Sequence, residues 1–240
     1  MNTTVRTAAP WLVRSAWAGM IGPILFTLTF LAQEAFRVGE YSPIRETVSA
    51  LEAGPNGWVQ QLNFVVFGAL TMAFAVGLHR ALRPTGLGVV GPALFFVSGI
   101  GATLAAVFPL REDGAGVTYD PSGHFAAGMM FFTSSALALV VVSFRLAKDP
   151  RWRGLAVYAR VAGIVLLLSN PVMGVLVVPD GAPLHDWAGL AQRILVLVIL
   201  FPARIALSHR LLHVARAADG LPAAAEAAHA ERIGSPERLS

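Results

Sequence analysis

The sequence predicts an all-α fold: a polytopic bundle of six transmembrane helices, built from three related helical hairpins. Composition is the first reason. Of 240 residues, 55% are hydrophobic and 13% charged, with a mean hydropathy of +0.64. Soluble domains carry roughly 25% charged residues, so this chain lacks the polar surface to cover a water-soluble globule. The second reason is six apolar runs, at about residues 15–36, 62–82, 87–109, 123–144, 155–178 and 187–207. A helix rises ~1.5 Å per residue, so about 20 residues cross a ~30 Å hydrocarbon core. The third is a one-sided distribution of Lys and Arg.

Residues 1–13 form a short polar lead, expected in the cytoplasm. The first run is longer than the apolar core of a secretory signal, and no small-x-small pattern leads from it into a soluble domain. It therefore reads as a retained span. A polar stretch, YSPIRETVSALEAGPNGW over residues 41–58, separates it from the second run. This stretch holds two turn signals, Ser42-Pro43 and Gly54-Pro55-Asn56-Gly57. Between them, Arg45, Glu46, Thr47 and Ser49 read as a short amphipathic helix on the outer surface. Ser42 would be its N-cap and Pro43 its first helical residue. Short basic connections join the second span to the third and the fourth to the fifth. The six-span domain covers residues 14–210. The tail, 211–240, is rich in Ala, Glu, Arg and Pro without apolar periodicity, and is expected to be cytoplasmic and disordered.

With six spans, 14 of the 18 Lys and Arg residues fall on the side of the termini, from Arg6 to Arg238. Arg37, Arg45, Arg111 and Arg193 fall on the other. The positive-inside rule then places both termini in the cytoplasm of a plasma-membrane protein. It also explains a pI near 10.3 without a nucleic-acid partner. The more polar connections, 37–61, 110–122 and 179–186, lie on the extracytoplasmic side, so a site would face outward. The chain has no cysteine, which excludes disulfides, a thiol nucleophile and Cys-ligated metals. Tyr41 and most of the five tryptophans fall at span ends, as an interfacial aromatic belt predicts.

Two hairpins echo each other. One reads Phe108-Pro109, Asp113, then HFAAG from His124; the other reads Val178-Pro179-Asp180, then HDWAG from His185. A further echo joins Gly22-Pro23-Ile-Leu-Phe26 to Gly91-Pro92-Ala-Leu-Phe95. The pattern suggests three hairpins about a shared axis. The YSPIRETVSALEAGP segment, Gly68 in the second span, Phe108-Pro109, the histidine opening the fourth span and the polar–Arg pair Gln192-Arg193 resemble the DUF998 family over roughly residues 15–210. The resemblance implies a six-span bacterial or archaeal membrane protein, distantly similar to the Frag1/DRAM/Sfk1 group, and brings no activity with it. The family pattern leads one to expect Glu-Arg in the sixth span, where this chain has Gln192-Arg193.

Arg193 stands about two turns inside the sixth span. A charge in hydrocarbon costs on the order of 2.5–3.5 kcal/mol or more, so it is expected to face the bundle interior or to snorkel to the outer interface. Asp186 and Gly189 share its helix face; Glu34, Glu46, Asp113 and Asp180 are the candidate acids. His124 and His185 open their spans at matching depth, as acid–base groups, metal ligands or ordinary interfacial histidines. No spacing matches a recognised metal signature, and neither metal nor cofactor is expected. His79 and His209 have a faint bis-histidine haem character but sit beside arginines in basic turns. Ser49 with His124 and an outer acid is a conceivable nucleophilic site, although nothing like GxSxG surrounds it.

The leading functional expectation is an extracytoplasmic polar pocket that binds a membrane lipid or other small amphiphile. Arg193, Gln192, His185, Asp186, Asp180, Arg45 and Glu34 would line it, with Arg193 on an anionic head group. The alternative is an integral-membrane enzyme for lipid or isoprenoid substrates, worked by His124, Asp113, Ser49 or Glu46. A small-molecule transporter ranks third, since the middle spans hold little charge for an ion relay.

Overall fold

The computed structural model describes residues 10–82, 86–114, 118–121 and 123–234. Most of the 1–13 lead, the last residues of the tail, and Arg6, Arg83 and Arg238 lie outside that set. Among the described residues, six helices are long and apolar enough to cross a membrane. They run Pro10–Phe36, Gly57–Leu82, Val90–Val107, His124–Lys148, Arg153–Val177 and His185–Ala217, and are the first to sixth spans below. The helix that ends the sixth span continues to Gly234.

Each span packs on its sequence neighbour from first to fifth, and the sixth returns to the first, so the bundle closes into a ring. Lipid tails are as apolar as leucine, so close packing rather than hydrophobic exclusion holds such helices together. Gly68 and Gly99 show how: a Cβ on either would run into the other's backbone carbonyl oxygen. Phenylalanines fill the centre, with Phe30, Phe74 and Phe95 almost fully buried and the Phe26 and Phe67 ring centres 4.9 Å apart. The outer surface is apolar too: Leu28, Leu168, Val175 and Val198 are exposed. Carbon on both the inside and the outside of a helical ring is what a bilayer solvent requires.

Two spans depart from α geometry. The fifth contains Asn170-Pro171 and then a π-helical turn, Met173–Val177. The sixth has a π-helical stretch, Ile194–Leu200, just before Pro202. Proline has no N–H to donate and its ring crowds the carbonyl four residues back, which accounts for the widened turn ahead of Pro202; the π turn of the fifth span lies after Pro171.

Three expectations are corrected. The 42–49 segment is not a surface helix. One turn forms at Ser42, whose carbonyl accepts from Glu46 N–H at 2.8 Å, and a 3-10 turn, Val48–Glu52, then dives inward with Val48, Ala50, Leu51 and Glu52 buried. Arg204 does not belong with the basic residues of the connections. It is 2% exposed in the bundle core, donating to Thr71 Oγ1 at 2.6 Å between the rings of Phe67 and Phe74. Trp152 is no interfacial anchor, being wholly buried. At the basic end, arginines instead satisfy carbonyls left open by helix ends: Arg145 donates to Leu82 O at 3.0 Å. Asp149 accepts from the Arg151 side chain at 2.7 Å, and that pairing holds its carboxyl below the ordinary range.

Candidate functional site

The polar connections gather at one end of the ring, and the 41–52 segment is stitched to the sixth span there. The first turn of that span needs acceptors for its N–H groups. Gly189 N–H donates to Arg45 O at 3.2 Å and Leu190 N–H to Ile44 O at 3.0 Å. Gly189 is a requirement of close approach, because a Cβ there would strike the carbonyl oxygens of Glu46 and Pro43. In return, Val48 N–H donates to Gln192 Oε1 at 2.7 Å.

Arg193 completes the junction. Its Nη1 donates to the carbonyls of Glu46 and Gly189, both at 3.0 Å. Its Nη2 donates to Glu34 Oε1 at 2.5 Å and to the Tyr41 hydroxyl at 2.6 Å. The Tyr41 hydroxyl donates onward to Thr47 O at 2.8 Å. Burial pushes the Tyr41 phenol up to about 12, against the opposing pull of the Arg193 charge. The Arg193 and Glu34 side chains are only 11% and 12% exposed. Arg193 thus ties the first span, the polar segment and the sixth span together. Asp186, on the same helix, turns instead to Arg45 at 3.2 Å in an exposed pair.

Beside this junction lies a cavity of about 460 Å³ between the polar segment and the adjoining ends of the fourth, fifth and sixth spans. Phe125, Met129, Phe132, Met173, Val178 and Leu195 give it apolar walls. Arg45, Glu46, Thr47, Asp120, Asp180 and His185 lend it polar groups, and Ser49, His124, Asn170 and Gln192 also line it. Both π-helical stretches contribute wall residues, as such turns often do at functional sites. Of the sequence candidates, the cavity therefore gathers Arg45, Glu46, Ser49, His124, Asp180, His185 and Gln192. Arg193, Glu34, Asp186 and Asp113 are not among its lining residues. Asp113 sits in the connection between two short paired strands, Arg111–Glu112 and Thr118–Tyr119.

The two echoing hairpins use their histidines alike. His185 Nδ1 faces Val178 O at 3.2 Å, and His124 Nδ1 faces Phe108 O at 3.0 Å. Each imidazole thus closes onto the end of the span before it. Their acids differ. His185 has exposed Asp180 at 3.8 Å, whereas His124 has Glu52 Oε2 at 3.0 Å, with the Glu52 side chain fully buried. Burial raises the Glu52 carboxyl above its ordinary range, against the pull of His124. Sequence reading missed Glu52, although it stands inside the polar signature. It also missed Asp120, whose carboxylate caps the fourth span by accepting from the N–H groups of Gly123, His124 and Phe125. An Asp-Pro pair just ahead of an apolar run was the available signal for the cap. His209 meets His213 one turn further on, Nε2 to Nε2 at 3.3 Å, at the opposite end of the bundle. Among the described residues, no group of three or more His, Asp or Glu is placed to hold a metal ion.

No curated protein and no solved structure matches the chain. A family model does match, over residues 20–209, which span the ring of six helices and the whole polar end. The chain is a multi-pass membrane protein of the DUF998 family, described as a family of unknown function.

Proposed function

We propose that this protein binds a lipid or other small amphiphile in the cavity beside the polar segment. The supporting observation is the cavity itself: about 460 Å³, within the ~300–1,000 Å³ of small-molecule pockets, with apolar walls and polar groups from the segment and the connections. An amphiphile suits that mixture, its tail against Phe125, Met129 and Phe132 and its polar end toward Arg45, Asp180 and His185. Arg193 is not the head-group contact in this reading, because protein acceptors occupy both its terminal nitrogens. Arg45, in an exposed pair with Asp186, is the arginine among the cavity's lining residues. We further propose that the cavity opens on the extracytoplasmic face of the plasma membrane, with both termini in the cytoplasm. Taking the two buried arginines, Arg193 and Arg204, out of the count leaves thirteen Lys and Arg on the side of the termini against three.

Gly128 gives a clean test. It lines the cavity, and a Cβ there would meet nothing within 4 Å, so the backbone leaves room for a side chain and Gly128→Phe carries a ring into the space. Native mass spectrometry with lipidomics of the detergent-purified full chain should find a retained amphiphile. The expected result is its loss in Gly128→Phe at an unchanged unfolding temperature. Equal occupancy in both proteins, or an empty wild type, would overturn the reading.

A further inference from the structure

We propose that Ser49, His124 and Glu52 make the amphiphile cavity a hydrolytic site, in which a serine nucleophile, its imidazole base and the carboxylate orienting that base cleave an ester of the bound molecule. The proposal rests on the binding reading above and names what is done to the ligand.

The imidazole comes first. His124 Nδ1 faces three acceptors: Glu52 Oε2 at 3.0 Å, Phe108 O at 3.0 Å and Ala105 O at 3.2 Å. Three acceptors around one ring nitrogen fix a proton there. In the neutral ring the lone pair then belongs to Nε2, across the ring. That is the tautomer a general base needs, set by a buried carboxylate as in nucleophile–base–acid sites generally.

The carboxylate is hard to explain by stability. Glu52 Oε2 also accepts from Leu110 N–H at 3.2 Å, but its Oε1 is buried without a partner. Burying a charge costs several kcal/mol, and a buried pair is weak support for a fold. An acid held this way beside a histidine on a cavity wall is a signature of a working site.

The nucleophile follows from the local backbone. Ser49 and Glu52 are three residues apart in the 3-10 turn Val48–Glu52, and residues at that spacing eclipse on one side of such a turn. Ser49 and Glu52 are thereby presented together toward the start of the fourth span. Ser49 and His124 both line the large cavity and also a small pocket of about 40 Å³ walled by Phe26, Phe64 and Phe131. The Ser49 hydroxyl makes no hydrogen bond among the described residues. It therefore stands where polar groups give way to aromatic carbon, the depth at which an amphiphile carries its linkage.

The chemistry balances without a further reactant except water. Ser49 Oγ attacks the ester carbonyl carbon and its proton passes to His124 Nε2, while Glu52 steadies the imidazolium through Nδ1–H. The carbonyl–alkoxy bond breaks and the alcohol leaves with the proton from Nε2. Water then attacks the acyl-serine, giving its proton to Nε2, and the acid departs as Ser49 Oγ recovers that proton. Ester and water become acid and alcohol.

The test uses the full chain in micelles with two probes, a dodecyl fluorophosphonate and p-nitrophenyl dodecanoate. The expected result is one phosphonyl adduct, mapped to Ser49 and absent in Ser49→Ala, together with p-nitrophenol release. Labelling should slow on the order of 10²-fold or more in His124→Gln, and its pH profile should change in Glu52→Gln, a readout that loss of packing alone would not move. Because the chain has no cysteine, Ser49→Cys adds an independent check. Its single thiol should alkylate fast at pH 6–7, well below the ordinary thiol pKa of about 8.5, if an imidazole sits beside it. A probe that occupies the cavity, and is excluded by Gly128→Phe, yet never labels Ser49 overturns the hydrolytic site and leaves the binding pocket intact. Labelling indifferent to His124→Gln and Glu52→Gln overturns it as well. A probe that does not bind at all removes both readings.

Discussion

Replacing Arg193 by methionine tests whether the polar end is held by one buried cation. Arg193→Met keeps an unbranched apolar stem and deletes the guanidinium, leaving the Glu34 carboxylate, 12% exposed, without its partner. Removing one member of a buried pair costs about 3–5 kcal/mol, much of it the stranded charge. The carbonyl of Glu46 and the Tyr41 hydroxyl lose a donor in the same step. The double variant Arg193→Met/Glu34→Leu separates these parts, because apolar replacement of a whole buried pair is often neutral. It should recover roughly half of the loss, the remainder being the unsatisfied backbone and phenol groups at about 1–3 kcal/mol. SDS-unfolding titrations read by tryptophan fluorescence give the four corners of the cycle. A single variant within about 0.5 kcal/mol of wild type, or a double equal to the sum of the singles, refutes the clamp. A variant that keeps its stability but loses a co-purified amphiphile would return Arg193 to the role of head-group ligand.

Two further outcomes follow from buried charge. Burial raises the Glu52 carboxyl above its ordinary 4.5, so the folded protein holds that proton more tightly than the unfolded chain. That contribution is full below the unfolded value and is lost as pH rises through the folded one. The unfolding temperature of Glu52→Gln should therefore gain on wild type as pH rises above the ordinary carboxyl range, and a pH-independent difference would count against the buried acid. Arg204 carries a charge with no acid paired to it among the described residues, and its Nε and Nη2 are buried without partners. Cation–π contacts of about 0.5–2 kcal/mol do not offset that desolvation, so Arg204→Met should unfold at equal or higher SDS, up to ~1–4 kcal/mol more stable. A loss above about 1 kcal/mol would instead make its bond to Thr71 indispensable.

Hydrocarbon length is what the sequence shows most directly, and the six spans follow from it within a few residues at most ends. Gly57–Leu82 begins earlier than its apolar run, where Gly57 N–H donates to Gly54 O and Val59 N–H to Asn56 O in a polar turn that hydropathy does not register, and His185–Ala217 runs on past the end of its own. The echo between the His124 and His185 hairpins also carried structural content, in the shared closure of Nδ1 on the preceding span. The polar segment was harder to read. Ser42-Pro43 is a sound helix start by local rules, but tertiary partners outbid it: Gln192, Arg193 and the first turn of the sixth span claim the backbone from Ile44 to Val48. Glu52 was invisible for the same reason. Only the inward dive of Val48–Glu52 shows that this acid, rather than Glu46 or Asp113, meets His124.

The cavity is the point at which stability and function part. Close helix packing is available to this chain, as Gly68 and Gly99 show between the second and third spans. At the ends of the fourth and fifth spans that meet the polar segment, the same residue does the opposite. Gly128 and Gly174 have room for a side chain, and each buried methylene placed there is worth about 0.8 kcal/mol. The π-helical stretches of the fifth and sixth spans lie along the same space. A bundle shaped for stability alone would fill this space with leucine and replace Glu52 by an apolar residue. Instead the opening persists beside the buried acid Glu52, the imidazole of His124 that it meets and the hydroxyl of Ser49. The ring therefore sustains a packing deficit where its polar chemistry is concentrated, and that deficit is the space the proposed amphiphile would fill.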